Sequence, residues 1–443
     1  MEDLMSGGSI MSSESDSVYE KDEVVFGNKV AGFVLEEFAK ATKSLKSGLP
    51  ITRSNGVKEW TVLSSVIVMM PSEMVRSEDI KDVEKLDSYE LKCLCWCTGV
   101  KAVPDKVIIS KSNGMIVHDL HSEILSFRAL NYIIIDEISQ MKHDPDKYES
   151  FLIERDASNG RFRIKKGLKF CLYISEPPCG DSSTEIIQHN LSDSLPWEEL
   201  VPRKKLKLQK NNCEILRGRE FFGKLGQVRT KPGRKDSELS LSKSCSDKLT
   251  LKQFLGLTNN ITSVLLENNC YLDFIILPQD KIVESSINRC FKNRIDIEFS
   301  QKIFKNSKKY KFHQLKVIPT TISYKYCKPI SLLIKEDNLQ IVPSNLSLVM
   351  IFSSKFEVLC NGVKNGTFSK KSNFIKPSSQ SFLSRKALVK KSLDLLDETE
   401  KSQLSYVSWK KMNKDRELIK THIRELLRNW VCTGVDDFVF QDL

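Results

Sequence analysis

The sequence predicts an α/β fold, with a layered core of mixed sheet flanked by helices and a large C-terminal α+β extension. Three observations carry that expectation. The run EWTVLSSVIVM (59–69) is rich in β-branched residues and reads as a buried strand. The run FCLYIS (170–175) reads as a short strand that leads into the loop EPPCGDSS. Between them, Ile124, Leu125, Leu130, Ile134, Ile135, Ile138 and Met141 recur at helical spacing and make a broad apolar face suited to packing on a sheet. Strands that alternate with helices indicate a layered core.

In chain order, residues 1–22 are acidic and Ser/Gly-rich and read as a disordered tail, unlike a signal or transit peptide. Val30, Phe33, Val34, Phe38 and Ala41 then stand at helical spacing. After the link GLPITRSNG and the first strand, residues 71–88 read as a charged insertion. A second strand is expected over 90–97. Its Cys93, Cys95 and Cys97 alternate, which predicts all three on one face with Leu94 and Trp96 on the other, a packed strand rather than a metal cluster. VIISKSNGM suggests a further strand and a turn. Residues 181–211 read as a loop-rich insertion. Its basic run PRKKLKLQK reads as solvated loop, with an import signal or an RNA contact left open. A helix is expected to start at SKSCSDKL, and a basic helix from 406 to about 429 closes the chain. With no repeat and no linker, 23–443 reads as one domain.

Lys and Arg number 68 against 57 Asp and Glu, a formal charge of +11 although the first residues are acidic. That excess fits a polyanionic partner such as nucleic acid, and it equally fits a Lys-rich soluble protein. No apolar run approaches the roughly 18–20 residues that span a membrane. The expected location is intracellular, in cytoplasm and/or nucleus, with no membrane partner. The 12 cysteines are scattered rather than arranged as a disulfide framework.

Two short motifs carry chemistry. His121-Ser122-Glu123 offers an imidazole to a metal and leaves a carboxylate free to move protons. Residues two apart do not share a helix face, so the pair belongs at a helix start, with Asp119 as a cap or as an anchor for the site. Pro178-Cys179-Gly180 follows a strand, where a helix terminus favours a thiolate. The second Cys expected three residues later is Ser182, so local spacing leaves the ligand set incomplete.

The segments HSEILSFR, LYISEPPCGD, RTKPGR and SCSDKL, in that order, resemble the editase-type adenosine deaminases, which act on double-stranded RNA and on tRNA. The resemblance implies a cytidine-deaminase-like core and places the missing zinc ligand at Cys245, beside His121 and Cys179, with Glu123 as the catalytic acid and base. EWTVL, RTKPGRKD and NGVKNG are similar to the tRNA-acting branch, which deaminates adenosine 37 beside the anticodon. Its implied partner is a tRNA, by resemblance an alanine tRNA. The duplex-inserting loop after RTK is not matched. An mRNA or duplex-RNA editor, or a silent RNA-binding member of the fold, is the alternative.

The resemblance also implies a structural inositol hexakisphosphate held by Arg128, Lys248, Lys364, Lys410 and Lys420. Arg385, Tyr406 and Trp430 are further candidates. Lys101, Asp119 and Lys231 resemble residues near the substrate or between cofactor and zinc. The chain departs from the pattern at Phe127 (often Arg), His118 (often Asn), and Leu251-Lys252 (often Arg-Trp).

Overall fold

The computed structural model describes residues 19–72, 89–189, 216–218, 223–231, 237–296, 298, 302–305, 307–329, 340–352, 355–398, 405–432 and 436–442. Most of the expected tail, the insertion from 73 to 88 and the basic run at 202–210 lie outside them.

An eight-stranded mixed sheet forms the core. Its strands are β1 (Leu63–Pro71), β2 (Tyr89–Thr98), β3 (Lys169–Ile174), β4 (Phe274–Pro278), β5 (Lys316–Thr320), β6 (Ser347–Ile351), β7 (Lys355–Cys360) and β8 (Val363–Lys364). They lie in the order β5-β4-β3-β1-β2-β6-β7-β8. β3, β4 and β5 run parallel, and the other pairs are antiparallel. Helix α1 (Lys21–Thr42) buries Phe26, Val30, Val34 and Phe38 against one face. Helix α2 (Ser122–His143) buries Leu125, Leu130, Ile134 and Ile138 against the other. Both faces are therefore covered, which is why β1 reads as a continuous apolar run rather than an alternating one. Gly27 lets α1 approach β5, since a Cβ there would lie 1.9 Å from the Pro319 carbonyl oxygen.

Four expectations change. A β-bulge in β2 pairs Val66 with Cys95 but Ile67 with Cys93, so Leu94 is the extra residue. Cys93 and Trp96 therefore join the α1 side, while Leu94, Cys95 and Cys97 join the α2 side. The three cysteines are packed in a strand, as expected, but on two faces. VIIS belongs to a helix, Asp105–Lys111, because Pro104 opens it and accepts from the amides of Val107 and Ile108. The closing basic helix is two helices, Tyr406–Lys410 and Lys414–Leu426, because the Asn413 side chain caps a new start by accepting from the Arg416 amide at 3.1 Å. Of the stretch read as tail, Lys21 and Asp22 already belong to α1. Among the described residues, no helix is long and apolar enough to cross a membrane.

Candidate metal centre and the cavity beside it

His121 closes the short strand Asp119–His121 and is the residue from which α2 starts. That extended backbone resolves the spacing problem of His121 and Glu123. The histidine belongs to the strand, the glutamate to the first helical turn. Glu123 is buried at 3 % exposure and accepts from Ser122 Oγ at 3.2 Å. Cys179 lies in the loop after β3. Cys245 is the first residue of helix α3 (Cys245–Leu255), whose Ser244 caps it by accepting from the Asp247 amide.

The ligand atoms of His121, Cys179 and Cys245 all lie within 4.8 Å of one another. Cys179 Sγ is 3.7 Å from His121 Nδ1 and accepts from the Cys245 amide at 3.3 Å. The helix terminus that favours a thiolate on Cys179 is thus that of α3, not of the segment following Cys179. The Cys179 thiol is pulled well below its usual range, first by its hydrogen bond with Cys245, against burial, and then by Lys231 and His121. Ser182 takes no part in the cluster. Its hydroxyl donates to the Pro178 carbonyl at 2.8 Å and meets Ser246 Oγ at 2.8 Å, which braces the loop onto α3.

Behind the ligands stands a buried charged relay. Lys231, 3 % exposed, donates to both Asp119 oxygens at 2.8 Å and to Cys245 Sγ at 3.0 Å. The short pairing of 229–231 with 242–244 places it there, through Lys231 N to Ser242 O and Ser244 N to Arg229 O, both 2.8 Å. Lys248 also pairs with Asp119, and Ser242 Oγ bridges them, at 2.7 Å from Lys248 Nζ and 2.9 Å from Asp119 Oδ2. Asp119 further accepts from the His121 amide at 3.1 Å, so it anchors the ligand rather than capping α2. Burial raises the Asp119 carboxyl, but Lys231 and Lys248 outweigh it and hold the group well below its ordinary value.

Asp119 and Lys248 also line a cavity of about 430 Å³. Its wall includes Arg128, Lys243, Arg385, Lys410 and Arg424, with Tyr406 and Trp430. Burial, then Arg385, pushes Arg128 down to about 10. Asp436 gathers Arg385, His118, Ser112 Oγ and the Gly114 amide at one end. Lys420 lines an adjoining cavity. Lys364 lines neither: it stands on β8 with its Nζ 3.8 Å from Glu357. Lys101 lies on the strand Val100–Ala102, paired in register with Leu120. Sequence reasoning missed Ser242, Lys243, Arg424 and Asp436. Ser242 and Lys243, just before the SCSDKL motif, and Arg424, one turn after Lys420 on the helix Lys414–Leu426, carried a signal; Asp436 did not.

A family model described as the adenosine-deaminase (editase) domain matches residues 95–433. The tRNA-specific adenosine deaminase 1 of Schizosaccharomyces pombe is 33 % identical, over 93 % of this chain and 96 % of its own length. The protein of the same description from Saccharomyces cerevisiae is 29 % identical, over 93 % and 94 %. The double-stranded RNA-specific editase Adar of Drosophila melanogaster is 26 % identical, over 44 % and 28 %.

Proposed function

Since the chain belongs to the adenosine-deaminase (editase) family, we propose that it converts adenosine to inosine in tRNA, at the position next to the anticodon. The observation that carries this reading is the convergence of His121, Cys179 and Cys245 beside a buried Glu123, in a chain that aligns end to end with tRNA-specific deaminases. One imidazole and two sulfurs, one of them favoured as thiolate, suit zinc, and these three residues would hold it. Zinc bound there supplies Lewis acidity and a water of lowered pKa.

The chain's own residues supply the rest. In the overall reaction, water oxygen bonds to C6 of adenine, the C6–N bond breaks, and ammonia leaves. Glu123, one residue into α2 and off the ligand set, takes the water proton, delivers it to N1 and later protonates the departing amine. Lys231 steadies the charge on Cys245, and Asp119 holds both Lys231 and the backbone of His121. The target base must leave its stack, which a loop nucleotide does at lower cost than a paired one.

The cavity of about 430 Å³ is assigned on the same reading to inositol hexakisphosphate. Its size falls within the roughly 300–1,000 Å³ of ligand pockets. Six cations (Arg128, Lys243, Lys248, Arg385, Lys410 and Arg424) line it against three carboxylates (Asp105, Asp119 and Asp436), and Arg424 Nε is buried without a hydrogen-bond partner among the described residues. A buried polyanion requires such a cationic excess. The α2 and α3 ends meeting on one face of a mixed sheet support a cytidine-deaminase-like core.

The test is to incubate the purified protein with unmodified total tRNA and map new inosines. Inosine next to the anticodon is expected from the wild type. Glu123→Ala is expected to abolish it with zinc content unchanged. Inosine only in the wobble position or only in plain duplex RNA would overturn the assignment of substrate, and an active Glu123→Ala would overturn the mechanism.

A further inference from the structure

A second cavity, of about 240 Å³, adjoins the first and shares Ile124, Arg128 and Lys248 with it. Five cations line it (Arg128, Lys248, Lys252, Arg416 and Lys420), and no carboxylate does. Lys252 stands one turn after Lys248 on α3, so the two side chains share a helix face. Its Nζ lies 4.6 Å from the centroid of the Phe127 ring on α2 and donates to the Leu257 carbonyl at 3.2 Å. Arg416 is 5 % exposed, donates to the carbonyls of Leu255 and Thr258 at 3.0 and 2.6 Å, and keeps its Nε buried without a hydrogen-bond partner among the described residues. Burial, then Arg416, pushes the Lys252 ammonium down to about 7. Burial, then Lys410 and Arg424, pushes Lys420 down to about 8.

Lys248 pairs with Asp119, and Lys420 with Glu417 at 2.5 Å, but Lys252 and Arg416 are tethered only by carbonyls and a ring face, which do not neutralise them. Like charges gathered away from water weaken a fold unless an anion joins them. We propose that the smaller cavity is a second lobe of the anion site, in which Lys252, with Arg416 and Lys420, binds phosphate groups of a buried polyphosphate. This rests on the reading of the larger cavity as a polyphosphate site. The shared Arg128 and Lys248 let one ligand engage both lobes. Lys252 is then a ligand residue, not merely a lysine whose stem packs on Phe127.

A purely structural Lys252 makes a contrary forecast, because replacing a buried, poorly neutralised ammonium by an apolar isostere is neutral or stabilising. The test compares wild type, Lys252→Met, Lys252→Arg and the reciprocal pair Phe127→Lys/Lys252→Phe, which keeps a cation over a ring but moves it to α2. Phosphorus released on acid denaturation is quantified and its carrier identified by mass spectrometry. Thermal unfolding is followed with and without added inositol hexakisphosphate. Lys252→Met is expected to lose most of the retained phosphorus and to unfold at lower temperature, while Lys252→Arg and the reciprocal pair recover both. If Lys252→Met does not accumulate as folded protein, Lys252→Gln takes its place. A neutral variant with wild-type phosphorus and unfolding temperature, or failure of both charged variants to recover retention, overturns the second lobe. Wild-type protein that releases no polyphosphate and is not stabilised by inositol hexakisphosphate overturns the reading beneath it.

Discussion

The ammonium of Lys231 joins Asp119 to Cys245, at 2.8 Å from both carboxylate oxygens and 3.0 Å from the sulfur. One buried cation thus touches a sulfur of the candidate metal centre and the carboxylate that faces the cationic cavity. The candidate metal centre and the cation-lined cavity are two ends of one electrostatic unit, and Lys231 and Asp119 are the link.

Lys231→Met removes that link and leaves Asp119 with Lys248, Ser242 and the His121 amide. Breaking a buried charge pair costs about 3–5 kcal/mol, and the surviving partners place this case at the lower end. Loss of an outer partner to a metal ligand also weakens metal binding by roughly 10–100-fold. Chelator competition and thermal unfolding read the two effects. A variant with wild-type zinc retention would show that Lys231 does not tune Cys245.

Ser182 stands where local spacing asks for a Cys, which raises the question of whether it could act as one. Its hydroxyl is committed to Pro178 and Ser246 at 2.8 Å each. Moving the thiol from 245 to 182, as Cys245→Ser/Ser182→Cys, is therefore expected to bind no zinc. Metal content after gel filtration decides it, and stoichiometric zinc in the double variant would refute the three-ligand assignment.

The legibility of the site follows from how far apart its parts lie in the chain. His121 and Glu123 sit within one strand-to-helix junction, so their order alone suggested the chemistry. Cys179 and Cys245 are 66 residues apart and meet because the 178–182 loop bonds to the start of α3, through the Ser246 amide to the Cys179 carbonyl at 3.0 Å and the Cys245 amide to Cys179 Sγ at 3.3 Å. No spacing rule contains that, and only resemblance supplied Cys245. The three strands β1, β2 and β3 were legible as apolar runs because both faces of the sheet are covered there, whereas outer strands such as β7, exposed at its start, carry no such run. The bulge at Leu94 was not legible, since alternation in sequence assumes a regular ladder. The helix at Asp105–Lys111 shows the same limit: its Val-Ile-Ile run favours strand, and Pro104 at the start decides otherwise. Arg424 stands one turn after Lys420 on the same helix, a spacing that could have marked it, whereas Asp436 joins the cavity wall by tertiary packing alone.

Protons should move when the anion binds. Burial and neighbouring cations hold Lys252 at about 7 and Lys420 at about 8, both below the ordinary lysine value near 10.4. Without the anion, the unfolded chain binds more protons than the folded one between these values and about 10.4, so stability rises with pH over that window. A bound polyphosphate restores the ammonium form. Calorimetry in buffers of different ionisation enthalpy at pH 8–9 should therefore register proton uptake on adding inositol hexakisphosphate, and Lys252→Met should reduce it. Zero uptake would mean that these lysines are already fully charged.

Gly180 is where the two sulfur-bearing segments touch. Its φ of +106° and ψ of −142° lie in a region that only glycine enters readily, and an added Cβ would sit 2.3 Å from Ser244 Oγ and 2.5 Å from Ser244 Cβ. The backbone penalty alone is of order 1–3 kcal/mol. The clash falls on the residue that caps α3 through the Asp247 amide at 3.1 Å, so relief must displace Cys179, Cys245 or both. Gly180→Ala is therefore expected to lose zinc affinity and activity together, whereas Glu123→Ala loses activity alone. Ser244→Gly in the same chain removes the clash but not the φ strain, at a cost of only a few tenths of a kcal/mol in capping. It should recover part of the zinc affinity. Measuring metal affinity across the four combinations separates the two causes, and a Gly180→Ala variant with unaltered affinity would show that the Cys179 and Cys245 segments are not held in register by this contact.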